Sequence, residues 1–206
     1  MARRDGTIVV CDGDLGSLVC LTHAAESAVQ AADGRKLPIV AFSVATRHAG
    51  RARSVKRLAN FHGAEIIEAD EVFERDTDLL LAAGRLADDR SASTVIWPAH
   101  AGIAGDVDAI DVDRASVIAN TSVLVERLLE LESPAAPVIE SPLVDLSDRQ
   151  VADLAIDLGM VPGDVWWAAG GDDDCLLAAE RWSAAFEACG APLRVADRAR
   201  GGSGQR

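Results

Sequence analysis

Five short apolar runs, each rich in β-branched residues and each followed by a stretch of helical periodicity, constrain this chain most. They are TIVVC (7–11), PIVAFSV (38–44), AEIIEA (64–69), STVIWPA (93–99) and PVIESPLV (137–144). The runs are nearly continuous rather than alternating in polarity, as strands covered on both faces are. Between them apolar residues recur every three or four positions, over 17–32, 49–62 and 77–88 for example, which is helical spacing. Strands alternating with helices predict an α/β fold: a doubly wound, parallel, five-stranded sheet with helices on both faces.

The 206 residues are enough for one sizeable core. The expectation is a single domain over 1–192 and a polar, disordered tail over 193–206 that ends in RARGGSGQR. Near the end of the domain, Ser147 and Gln150 have the capping-box spacing for a helix DRQVADLAIDLG that stops at Gly159. A last helix is expected over 175–189.

In doubly wound sheets a ligand sits outside the carboxyl ends of the strands. That rule gathers 12–17, 43–48 and the segment after Ala99 around one cleft. The first of these, DGDLGS, is a turn between strand and helix, the usual place for a phosphate held by backbone N–H groups at a helix N-terminus. Yet Asp12 and Asp14 put two carboxylates where an anion would lie. Two unit charges about 4 Å apart at an effective dielectric near 20 interact by about 4 kcal/mol. Asp14 also suits an ordinary helix cap.

Composition excludes several classes of function. The formal charge of −13 repels nucleic-acid phosphate. No apolar run approaches the roughly 20 residues of a bilayer span. The basic start MARRDGT leads into an apolar run too short for a secretion signal, so a cytoplasmic chain is expected. Cys11, Cys20, Cys175 and Cys189 lack the close spacing of a zinc knuckle and read as buried thiols.

Three stretches, in order, resemble the 7-cyano-7-deazaguanine synthases of queuosine biosynthesis, members of the N-type ATP pyrophosphatases. Asp12-Gly13-Asp14-Leu15-Gly16-Ser17 is similar to that family's S-G-G-x-D-S loop and keeps Gly13 and Ser17. AFSVATRHAGRARSVKRLA is similar to its F-D-Y-G-Q-R-H segment and keeps Phe42, Arg47 and His48. The stretch from Ile139 to Met160 resembles its P-L-I-D-L-[ST]-K-x-E-I-x-x-L-G-x-x-L-G pattern. A weaker likeness sets Arg75-Asp76-Thr77 against R-N-T at the head of a helix.

The resemblance implies an adenine-nucleotide α-hydrolase-like (Rossmann-like) fold. It also implies an ATP-dependent conversion of 7-carboxy-7-deazaguanine and ammonia to the nitrile, a carbon–nitrogen ligase reaction with ATP and Mg²⁺. The altered loop implies that this chemistry is degenerate and that the chain is a pseudoenzyme or binding subunit. Arg47, His48, Phe42, Arg75 and Thr77 are then the ligand-binding candidates, and no catalytic residue is assigned. Zinc is not expected: only Cys175 matches a cysteine of the family's zinc tail, and Asp172, Asp173 and Asp174 are poor company for it.

After the fourth strand no family motif survives. His100 and Arg114 are polar candidates there, and Trp97 reads as core or as a filler of the cleft. The expected partner is a nucleoside-like small molecule or a protein, with a second copy of the chain among the candidates, and neither nucleic acid nor membrane. Two other readings remain open. One is an active enzyme of the same family on a related substrate. The other is a D-x-D phosphatase with Asp12 as nucleophile, for which Gly16 and the positions of Lys36 and Lys56 are a poor fit.

Overall fold

The computed structural model describes residues 5–29, 37–44, 49–160, 165–169 and 173–192. The order is β1 Thr7–Cys11, α1 Leu15–Val29, β2 Ile39–Ser43, α2 Ala49–His62, β3 Glu65–Glu68, α3 Asp76–Asp89 and β4 Thr94–Ile96. It continues with β5 Gly102–Ile103, β6 Asp106–Ile110, α4 Val112–Glu132, β7 Val138–Glu140 and α5 Asp148–Asp157. A short 3₁₀ turn, Trp166–Ala169, then precedes α6 Asp173–Ala188.

The sheet is five-stranded in the order β3-β2-β1-β4-β7, and every pairing in it is parallel. The central strands β1 and β2 are buried along nearly their whole length, which explains their unbroken apolar sequence. The helices α1, α2, α5 and α6 cover one face and α3 and α4 the other, each over its own apolar core. This is the doubly wound α/β architecture expected from the strand spacing.

Both edge strands are protected. On β3, Glu65 and Glu68 face solvent, and Glu65 pairs with Arg90. On β7, Val138 donates to Ser93 and Glu140 accepts from Trp97, so the N–H of Ile139 between them points away from the sheet. It donates instead to Glu126 Oε1 of α4 at 2.6 Å. A strand edge whose outward donor is already taken is a poor template for another strand.

The run 137–144 gives a strand of only three residues because Ser141 and Pro142 break it into turns. The β5–β6 hairpin was not expected. It turns at Ala104-Gly105, with Gly105 at φ +92°. Among the described residues no helix is long and apolar enough to cross a membrane.

Candidate functional site

The chain leaves β1 toward one face of the sheet and β4 toward the other, so a crevice opens between their carboxyl ends. This is the switch point at which doubly wound sheets bind ligands. A cavity of about 320 Å³ lies there, and its polar lining is Asp12, Asp14, Ser17, Asp76, His100, Arg114 and Arg181.

The β1–α1 loop is held by its own side chains. Ser17 Oγ accepts the Gly13 N–H at 3.1 Å and donates to the Asp14 carbonyl at 2.9 Å. Asp12 Oδ1 accepts the Asp14 N–H at 2.8 Å, and its Oδ2 pairs with Arg51 at 3.2 Å. Asp14 Oδ1 accepts the indole N–H of Trp182 at 3.1 Å. The N–H groups of Gly13 and Asp14, which a phosphate loop would aim at an anion, thus both end on side-chain oxygens of the loop itself.

Asp14 is half-buried. Burial and the neighbouring Asp12 charge raise its pKa above the ordinary carboxylate value; the Leu15 N–H, Arg51 and Trp182 offset this only in part. Gly13 sits at φ +85°, and a Cβ there would lie 2.7 Å from the Arg51 carbonyl oxygen. The close approach that glycine permits is therefore to the backbone of α2. A Cβ added at Gly16 would come within 3.1 Å of the Pro98 carbonyl at the end of β4. Leu15 is core.

The opposite wall is a buried network absent from the sequence expectations. Asp148, the first residue of α5, is fully buried. Arg181 of α6 grips it in two bonds, Nε to Oδ2 at 2.6 Å and Nη2 to Oδ1 at 2.7 Å. The same Nη2 donates to the Gly102 carbonyl at 3.1 Å, which uses both its hydrogens. The imidazole Nε2 of His100, 3.0 Å from Asp148 Oδ1, is therefore the donor in that contact. Burial pushes the Asp148 carboxyl up, but the bonds and charges of His100 and Arg181 outweigh it and hold the pKa at about 2.

Gly102 is required where it stands, since a Cβ on it would lie 2.1 Å from Asp148 Oδ1. Aromatic rings back the wall. His100 stacks on Trp182 at 5.7 Å between centroids and Trp182 on Trp167 at 6.2 Å, while the Arg51 guanidinium lies 4.5 Å over Trp166.

The residues singled out from sequence fall in different places. Asp12, Asp14, Gly16 and Ser17 line the cavity together with His100, Arg114 and Trp97. Trp97 is also packed in the core beneath α3 and α4. Phe42 is buried edge-on against Phe73 in the same core. Arg75 is exposed just ahead of α3 and Thr77 half-buried in its first turn. It is Asp76, between them, that lines the cavity.

Arg47, His48 and Asp172 lie outside the described residues. Cys175 is buried in the core of the α1 face, and the described residues contain no cluster of three or more metal-ligating side chains. Sequence reading missed Asp148 and Arg181. The available signal was an aspartate at 148, where the resembled P-L-I-D-L-[ST]-K motif has a lysine.

The chain matches no family model. No curated protein matches it either. Among solved structures it is similar to NMN synthetase from Francisella tularensis, at 15% identity and TM-score 0.48, covering 93% of this chain and 79% of that one. It is also similar to NAD+ synthetase from Burkholderia pseudomallei, at 16% identity and TM-score 0.46, covering 86% and 66%. A tRNA thiolase from Methanococcus maripaludis follows, at 13% identity and TM-score 0.48, covering 77% and 58%. These values describe a likeness of overall shape. A third or more of the last two proteins has no counterpart in this chain.

Proposed function

We propose that the chain is a divergent relative of the 7-cyano-7-deazaguanine synthases that binds a neutral, nucleoside-like molecule in the switch-point cleft without ATP-dependent chemistry. The observation that carries this reading is the self-satisfied loop: two consecutive backbone donors, those of Gly13 and Asp14, end on Ser17 and Asp12. A phosphate entering the loop must displace these contacts and face two carboxylates. Two such charges about 4 Å away at an effective dielectric near 20 oppose it by several kcal/mol.

The residues present do not fit an ATP–magnesium complex. Both Asp12 oxygens and the Asp14 carboxylate already meet protein donors, so no step through ATP is derived. The cavity volume of about 320 Å³ suits a small ligand. The acceptors Asp12, Asp14 and Asp76 favour a heterocycle that presents N–H groups over one that presents negative charge.

A thermal-shift titration tests the reading, using ATP with and without Mg²⁺, then 7-carboxy-7-deazaguanine and its neutral nitrile. A ligand at a hundredfold excess over its Kd stabilises by about 2.7 kcal/mol. The expected result is a flat response to ATP at millimolar concentration and a shift with the neutral base. A Mg²⁺-dependent shift with ATP overturns the proposal. It would favour the second reading, an active enzyme, for which the observation is that Asp12, Asp14 and Asp76 all line one cavity and carboxylates are what Mg²⁺ prefers.

A further inference from the structure

The Asp148 network leaves one nitrogen unused on each of its two partners. His100 makes both of its ring-nitrogen contacts through Nε2, 3.0 Å from Asp148 Oδ1 and 3.1 Å from Arg181 Nη2. With the proton on Nε2, the Nδ1 of a neutral imidazole is a bare acceptor. Among the described residues it meets no donor, yet it is not sealed inside the core. The side chain is 10% exposed, and the ring lines the switch-point cleft. Arg181 spends Nε and Nη2 on Asp148 and Gly102. Its Nη1, on the edge of the planar guanidinium away from Asp148, keeps two N–H groups that meet no acceptor among the described residues. Arg181 lines the same cleft.

We propose that His100 is the specificity-determining residue of the cleft, with Nδ1 accepting an N–H of the ligand while Arg181 Nη1 donates to a carbonyl oxygen beside it. The ligand class, which rests on the reading of the cleft as the site of a neutral, nucleoside-like molecule, is an oxo-heterocycle with a lactam edge, N–H next to C=O, in its ring. The guanidinium calls for an oxygen acceptor, and Asp12 and Asp14 in the same lining oppose an anionic one.

Neither group can turn to suit a different edge. Asp148 is fully buried and binds both, and turning the imidazole over would carry the Nε2 proton away from its oxygen. The ring is stacked on Trp182 at 5.7 Å between centroids, and the Arg181 guanidinium carbon lies 5.2 Å from the centre of the same indole. Groups held in place before the ligand arrives spare the cost of ordering them. In the open cleft Nδ1 faces solvent. A ligand that fills the cleft without an N–H at that point strands the acceptor, which weakens binding by about 10–100-fold.

Isothermal titration of the full chain with hypoxanthine, 1-methylhypoxanthine, purine and 7-cyano-7-deazaguanine tests the proposal. Hypoxanthine carries the lactam edge, its 1-methyl derivative lacks only the N–H, and purine lacks both groups. Hypoxanthine should bind at least about tenfold more tightly than either of the other two. His100→Gln keeps an amide N–H for Asp148 and removes Nδ1, so hypoxanthine and 1-methylhypoxanthine should bind it about equally. A residue with only a structural role would weaken both alike and leave their ratio unchanged. Long-range proton–nitrogen NMR of the free protein reads the tautomer with no ligand at all, and the His100 ring should carry its proton on Nε2. A proton on Nδ1 overturns the proposal whether or not the variant folds. So does equal binding of hypoxanthine and its methyl derivative to the wild type, or a preference that survives His100→Gln. Selective binding of hypoxanthine without binding of 7-cyano-7-deazaguanine supports the role of His100 and overturns the kinship with the deazaguanine synthases. Binding of 7-cyano-7-deazaguanine with no preference for hypoxanthine over its methyl derivative does the reverse, and a chain that binds none of the four overturns both.

Discussion

Replacing Asp148 by asparagine keeps the shape of the buried network and removes its charge. The carboxyl is held at about 2 against about 3.9 in an unfolded chain. A carboxylate whose folded pKa is depressed contributes stability that is present above the unfolded value and lost as pH falls through the folded one. At pH 7 the contribution is on the order of 2–3 kcal/mol by linkage. About half of it is gone at pH 3, and nearly all near pH 1. Asp148→Asn is therefore expected to lose about 2 kcal/mol at neutral pH, with the Arg181 guanidinium left facing a weaker acceptor.

Urea unfolding at pH 7, 5, 4 and 3 reads the difference directly. The gap between wild type and variant should stay constant down to about pH 4.5 and then narrow. A gap of the same size at pH 3 as at pH 7 would mean that the loss is one of packing. The assignment of Asp148 as an ionised centre gripped by Arg181 and His100 would then be refuted.

Asp14→Asn should raise the melting temperature at pH 7. The raised pKa of Asp14 is a penalty that sets in as pH rises above the unfolded carboxyl value, so the advantage must vanish below about pH 4; an advantage that persists there contradicts it. Gly13→Ala should cost about 2–4 kcal/mol in denaturant unfolding, from positive-φ strain and a clash with the Arg51 backbone, and a cost under about 0.5 kcal/mol would show the loop free to move. Native alkylation at pH 8, read by mass, should modify Cys189 alone. Cys11 and Cys20 are buried, with the Cys20 thiol pushed up to about 12 by burial, and Cys175 is buried as well; all four should react in urea.

The legible parts of this fold are those whose cause is local. The helix expected over 49–62 is α2, because its periodicity and its boundaries are carried by neighbouring residues. The Ser147–Gln150 box forms with both of its reciprocal bonds, and Gly159 takes φ +64° where the helix stops. The hairpin after β4 was illegible for a local reason of its own: β5 has only two residues, too few to show a period.

The site was half legible. The strand-end rule placed Asp12, Asp14 and Ser17 in the cleft. Nothing near Asp148 in the chain announces Arg181, 33 residues on, or His100, 48 residues back. Such a pairing belongs to the tertiary structure alone. The meaning of Asp12 and Asp14 likewise depended on what their oxygens touch. The same two carboxylates would serve a metal site, a nucleophile or a self-closed loop.

The bond between Trp182 and Asp14 spans 168 residues, and it sets a clock on biosynthesis. At about 5–20 residues per second, a ribosome makes Trp182 roughly 10–30 s after the loop it completes. Through that interval Asp14 has no indole to meet, and the wall formed by α6 does not yet exist. The opening turn of the chain can take its final form only after the closing helix has been made. Nascent chains stalled before residue 173 should therefore carry a β1–α1 loop that proteases cut and the finished protein protects.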